Sequence, residues 1–156
     1  MVGLLFPVVL LANGLAAGVL VGTQLGGWPL LRGLPPDRYV QAHAFFATRY
    51  DPFMPLCFVF TFAGDAALAF SDTGPRRALF AAAALLTGVA MAVSLAKNVP
   101  VNRWLRTLDP DRLPADFARL DPRKHWGAWN RVRSTLSVLA FALNCVALGF
   151  LLGAAA

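Results

Sequence analysis

From Gly3 to Gly22 the chain runs twenty residues without a charged side chain. As an α-helix that is enough to cross a hydrocarbon core of about 30 Å. Three further apolar runs follow: Phe53–Ser71, interrupted only by Asp65, then Ala78–Ala96, and Ser134–Ala156. Lipid offers the backbone no hydrogen bonds, so each run is expected to satisfy its own as a helix. Little of the 156 residues is left over. The expectation is therefore all-α: one integral membrane domain over residues 1–156, a four-transmembrane-helix up-down bundle. At 58% hydrophobic and 14% charged residues, the composition lies outside that of an ordinary soluble domain. Met1-Val-Gly supplies no basic segment of the kind that opens a signal peptide, so the first run reads as a retained span. A multi-pass protein of the cell membrane follows.

The net charge of +6 does not point to nucleic acid, because the basic residues are segregated by connection. Arg32, Arg38 and Arg49 fall between spans one and two, and nine basic residues from Lys97 to Arg133 fall between spans three and four. Only Arg76 and Arg77 occupy the second connection. The positive-inside rule makes the first face cytoplasmic and puts both termini outside. Arginines kept for a binding site would bias the same count.

In an even-numbered up-down bundle the first and third connections emerge together. Residues 26–51 then meet residues 98–133, and the two histidines, His43 and His125, share one membrane face. Within the first connection, Pro35-Pro36-Asp37 starts a short amphipathic helix through Tyr50, on which Tyr39, His43 and Phe46 share a side. Asp51-Pro52 ends it. Pro100 is expected to end span three near Val99, and residues 107–122 read as exposed loop or short turns. Gly14, Gly18 and Gly22 offer a smooth stripe for helix contact or a small-ligand groove. Cys57 and Cys145 fall inside spans and suit apolar packing better than a disulfide.

Two segments concentrate chemistry: Lys97-Asn-Val-Pro-Val-Asn102 and His125-Trp-Gly-Ala-Trp-Asn-Arg-Val-Arg133. Polar groups there are costly against lipid and suit a protein-lined pocket. Asn98 and Asn102 bracket Pro100, where they can cap freed backbone groups or orient a substrate oxygen. Trp126, Asn130 and Arg133 share one helix face, and His125 and Trp129 an adjacent one. The tryptophans can be interfacial anchors or the walls of a flat slot for an aromatic ligand. Arg133 needs a partner, for which Asp51, a loop carbonyl or a bound anion are the candidates. Asn130 is expected near Asn98 or Asn102.

The histidines admit three readings: unrelated interfacial residues, a general base, or ligands of a metal or haem. The chain has no glutamate, and His43, His125 and Asp51 as a facial triad carry no spacing signature. Asp65, Asn144 and Asn13 lie inside spans, where an interhelical hydrogen-bonding role competes with proton relay.

Asn98-Val-Pro-Val-Asn102, the Trp126 and Trp129 pair, Asn130-Arg-Val-Arg133, Leu34-Pro-Pro and Asp51-Pro-Phe-Met-Pro55 resemble the anthrone oxygenase-like integral membrane family over nearly the whole chain. The resemblance implies a monooxygenase of secondary metabolism, acting on an anthrone- or polyketide-like molecule with dioxygen as co-substrate. His43 or His125 would be the base, and Asn98, Asn102 or Arg133 would stabilise the oxyanion. Tyr39, Trp126, Trp129 and Asn130 would hold the rings. Two alternatives stay open: a haem- or copper-dependent membrane oxidoreductase, and a non-catalytic module for a lipid, a hydrophobic metabolite or a partner. The expected partners are the bilayer, a hydrophobic small molecule and a second copy in a homo-oligomer, with no nucleic acid.

Overall fold

A computed structural model describes residues 2–153, all of whose regular elements are helical. Helix α1 (Val2–Gly22) passes through a π-helical turn, Thr23–Gly27, into α2 (Trp28–Gly33). The interfacial helix α3 (Pro36–Tyr50) leads to α4 (Phe53–Ser71) and α5 (Pro75–Val93). A second π-helical turn, Ser94–Asn98, joins α5 to α6 (Val99–Leu105), and α7 (Phe117–Leu120) precedes α8 (Arg123–Gly153). Four stretches are long and apolar enough to cross a membrane: Leu4–Gly33, Phe53–Ser71, Pro75–Leu105 and Phe117–Gly153.

Three of these spans are longer than the apolar runs suggest. Pro100 does not end the third span; the helix continues to Leu105. Proline lacks an N–H, and its ring crowds the carbonyl four residues back. For Pro100 that carbonyl belongs to Ala96, inside the π turn, and for Pro29 it belongs to Leu25, inside the other. The wider π turn moves the crowded carbonyl aside. In lipid, where an open backbone group is costly, bulging is cheaper than stopping. The fourth helix starts at Arg123 rather than at Ser134, so it carries Trp126 to Arg133 on the same rigid rod as the apolar run. The tail of the expected run, residues 154–156, lies outside the described residues.

In the bundle α1 packs against α4 and α8, and α5 packs against the same two. Leu20, Met54, Cys57, Phe58 and Ala90 fill the half nearer the first and third connections. Phe6, Val9, Leu68, Phe80 and Ala147 fill the other half. Leu4, Leu11, Phe60, Phe70 and Leu85 point outward. Lipid is as apolar as the interior, so these cost nothing and close packing decides which helices meet. The expected glycine stripe makes contact only at Gly14, where an added Cβ would stand 3.1 Å from the Phe141 ring, while Gly18 and Gly22 face open space. Among the described glycines, the least room is at Gly64, where an added Cβ would collide with Val9. Deeper in the bundle, Asn144 Nδ2 donates to Asp65 Oδ2 at 3.2 Å, tying α8 to α4. Cys57 is buried and Cys145 exposed, both as free thiols.

Gly64→Ala should therefore lower stability in detergent by about 1–3 kcal/mol through overpacking. Gly18→Ala, with nothing within 4 Å of the new methyl, should stay within about 0.5 kcal/mol of the parent. Thermal unfolding followed by circular dichroism distinguishes the two, and equal losses would contradict the packing described.

Candidate functional site

Three helices converge on one oxygen. Trp126 Nε1 on α8 donates to Asn102 Oδ1 on α6 at 2.8 Å, and His43 Nε2 on α3 lies 2.9 Å from the same atom. An indole nitrogen can only donate, so the amide must present its oxygen here. His43 Nε2 must then donate as well, which leaves Nδ1 as the nitrogen with the lone pair. Burial pushes the His43 pKa below its ordinary 6.5; the Asn102 bond opposes that shift, and the Arg133 charge adds to it. The neutral Nε2–H tautomer is the outcome. Nδ1 is sealed from solvent and has no hydrogen-bond partner. The ring packs edge-on against Trp126, with centroids 4.8 Å apart, and against Tyr39 at 5.4 Å.

Behind this node lies a second polar layer. Asn98, in the π turn, donates from Nδ2 to the Trp126 carbonyl at 3.2 Å, which fixes the start of α8 against the third span. Asn130 Oδ1 accepts from Arg133 Nε at 2.8 Å. Arg133 also reaches Ser94 Oγ at 3.4 Å and lies 6.0 Å from the Trp126 ring centroid. Among the described residues no carboxylate pairs with it. The expected Asp51 partner is engaged elsewhere: Asp51 faces Arg106 at 3.7 Å with its side chain 60% exposed. Asn98 Oδ1 and Asn130 Nδ2 remain unpartnered although both residues are fully buried.

These groups border a cavity of about 340 Å³, within the roughly 300–1,000 Å³ usual for small-molecule sites. Val19, Leu20, Leu31, Met54 and Phe58 make its apolar walls; His43, Asn102, Trp126 and Arg133 make its polar end; Tyr50 and Asp51 contribute at the rim. Apolar walls with a few convergent polar groups suit a flat hydrophobic ligand bearing one polar edge.

The expected residues divide into two groups. His43, Asn102, Trp126 and Arg133 line one cavity, with Asn98 and Asn130 bonded to Trp126 and Arg133. His125 shares their membrane face but is exposed and is not on the cavity wall. It packs edge-on to Trp129 at 6.2 Å, and Lys97 lies over the same indole at 5.3 Å. One residue along a helix is a rotation of about 100°, which turns His125 away when Trp126 faces inward. Tyr39 is fully buried behind His43 and off the cavity wall, beneath the Arg123 guanidinium at 4.6 Å. Burial pushes its phenol above the ordinary value, Asp121 adds to this, and Arg123 opposes it.

No three side chains among the described histidines, cysteines and acids gather as a metal-ligand set. His43 and Asp51 share the cavity, but His125 lies outside it.

Four contributors escaped the sequence reading. Trp28 lies 5.9 Å from Trp126 and fills the space where a Cβ on Gly127 would stand. Ser94 holds Arg133. Arg123 donates from Nη1 to the carbonyls of Leu34 at 2.6 Å and Arg32 at 3.3 Å, clamping the end of α2 to the start of α8. Of these, Gly127 alone left a signal, as a glycine inside a helix beside a tryptophan.

A family model described as anthrone oxygenase matches residues 43–143, about two thirds of the chain. The match begins at His43 and takes in Asn98, Asn102, Trp126, Asn130 and Arg133. No curated protein and no solved structure matches.

Because the folded-state pKa of His43 lies below its unfolded value, the unfolded chain binds the extra proton first. Stability should be full above the ordinary 6.5 and fall as the pH drops below it. Melting measured from pH 8 to pH 5 should show this loss in the parent and a flatter profile in His43→Gln. The same slope in both would remove the buried neutral histidine.

Proposed function

The chain belongs to the anthrone oxygenase family, and on that premise we propose that it is a membrane-embedded oxygenase of hydrophobic aromatic, anthrone-like molecules, with dioxygen as co-substrate. One observation carries the reading: a guanidinium with no carboxylate partner among the described residues and a neutral histidine border the same apolar cavity.

The chemistry needs those two groups. An anthrone carries acidic C–H bonds opposite its ring carbonyl. His43 accepts one of these protons, and the electron pair moves onto the carbonyl oxygen. Arg133 lies ready for that oxyanion, its guanidinium held by Asn130 and Ser94 rather than quenched by a carboxylate. Preorganised charge of this kind acts most strongly where water is excluded. Asn102 keeps the His43 proton on Nε2, so that Nδ1 is the accepting atom. Nδ1 is closed off by packing, so this role requires the ring to turn toward the cavity when substrate binds; catalytic contacts commonly tighten only then. The electron-rich carbon adds dioxygen to give a peroxide. Loss of the second C–H proton with cleavage of the O–O bond yields the quinone carbonyl, and one water leaves. Overall, one anthrone and one dioxygen give one anthraquinone and one water. Trp126 and the apolar walls stack on the rings and exclude solvent.

Oxygen uptake with anthrone by the full chain in lipid nanodiscs tests the assignment. His43→Ala should cost about 10²–10⁴-fold in rate, and Arg133→Gln about 10²–10³-fold, while His125→Ala stays near the parent. The rate should hold at pH values below the usual imidazole range, since the lowered pKa of His43 keeps the base neutral there. Full uptake in His43→Ala, or loss in His125→Ala alone, would overturn these roles.

A further inference from the structure

Part of the cavity wall is also outer surface. Pro55 and Val59, one turn apart on α4, and Met91 on α5 with Leu95 one turn beyond it, form two strips of the cavity lining. Yet Leu95 is 66% exposed and Val59 50% exposed. A residue that is both lining and exposed marks where the void reaches the protein's flank. The same helix pair is joined at its other end by the turn at residues 72–74, and at mid-span, one turn from Val59 and Met91, a Cβ on Gly88 would stand 3.1 Å from the Phe62 ring. The two helices thus touch at mid-span, and the cavity reaches the surface between them only beyond that contact, on the side of the site.

The depth of this opening decides what it faces. Val59 lies six residues into α4, about 9 Å along the helix axis, within a span long enough to cross the membrane. The exposed side chains near it in sequence on α4, Leu56 and Phe60, are apolar as well. The rim nearer the connections is different: the Asp51–Arg106 ion pair lies there, and Phe46, Ala47 and Tyr50 of α3 form that part of the wall.

We propose that the seam between α4 and α5 is a lateral portal, through which the aromatic substrate enters from the bilayer rather than from water. This rests on the reading of the cavity as an aromatic-ligand site. A fused-ring ketone dissolves in hydrocarbon, and entry through the seam keeps its apolar surface out of water throughout. From the seam it slides past Met91, Met54 and Phe58, and its polar edge comes to rest at the end that bears Arg133, Asn102 and His43. The polarity gradient thus orients the molecule as it enters.

The test is stopped-flow binding of anthraquinone to the full chain in lipid nanodiscs, read by quenching of tryptophan emission. Val59→Phe and Leu95→Phe narrow the seam from opposite helices, so one variant serves if the other fails to fold. Each should slow association and dissociation alike, by about tenfold, because a gate changes rates rather than affinity. Leu85→Phe and Leu139→Phe, on exposed lipid-facing positions away from the cavity, should match the parent. Parental association rates in both seam variants, or equal slowing in the control variants, would overturn the portal while leaving the oxygenase reading intact. Failure of anthraquinone to bind the parent would overturn both. Binding by the parent without oxygen uptake from anthrone would overturn the oxygenase reading alone, and the association rates would still decide the portal.

Discussion

The amide oxygen of Asn102 is the point on which the site depends. It accepts from Trp126 and His43 at once, so one atom fixes α3, α6 and α8 relative to each other. It also selects a tautomer. Without that oxygen, nothing in the contacts of His43 would distinguish its two nitrogens, and the edge-on packing with Trp126 and Tyr39 would hold either form. A bond of this kind is worth about 0.5–1.5 kcal/mol net, whereas leaving its buried partners unsatisfied costs more. Its larger effect is to give the imidazole one defined chemical state.

What delivers Asn102 to this place is the bilayer's intolerance of open backbone groups. A soluble protein could have stopped a helix at Pro100. Here the third span absorbs the proline in a π turn and continues to Leu105, carrying Asn102 inward beneath α3. The first span treats Pro29 in the same way. Both bulges border the cavity, through Thr23 and Gly27 on one side and Ser94 and Leu95 on the other. Bulges of this type are frequent at functional sites because they displace side chains without ending a helix. Here they help to form a void at the bundle's end, while buried side chains of Phe6, Val9 and Phe80 occupy the interior of the opposite end.

Much of the fold was legible because lipid solvation leaves so few choices. Apolar length marked the spans, and parity put the first and third connections together. Residue pattern found the amphipathic helix and its inward face. Helical spacing grouped Trp126, Asn130 and Arg133 and kept His125 with Trp129, although only the structure could say which group faced the cavity. Pro100 misled because local preference is a statement about isolated chain, and the surrounding lipid overrode it. Arg133 was expected to meet Asp51, a loop carbonyl or a bound anion; its observed side-chain partners are an asparagine and a serine, residues whose role depends wholly on tertiary placement. The clamp from Arg123 to the carbonyls of Arg32 and Leu34 joins residues some ninety positions apart and leaves no local trace.

The central claim is that His43 is held neutral, with its proton on Nε2 and an unsolvated lone pair on Nδ1. Nitrogen-15 NMR of histidine-labelled protein in lipid nanodiscs at pH 7 reads this directly, with His125→Gln removing the other imidazole. The account predicts a protonated, pyrrole-type Nε2 signal and an unprotonated, pyridine-type Nδ1 signal, with Asn102→Leu abolishing the preference. An imidazolium, or a proton on Nδ1 in the parent, would contradict it.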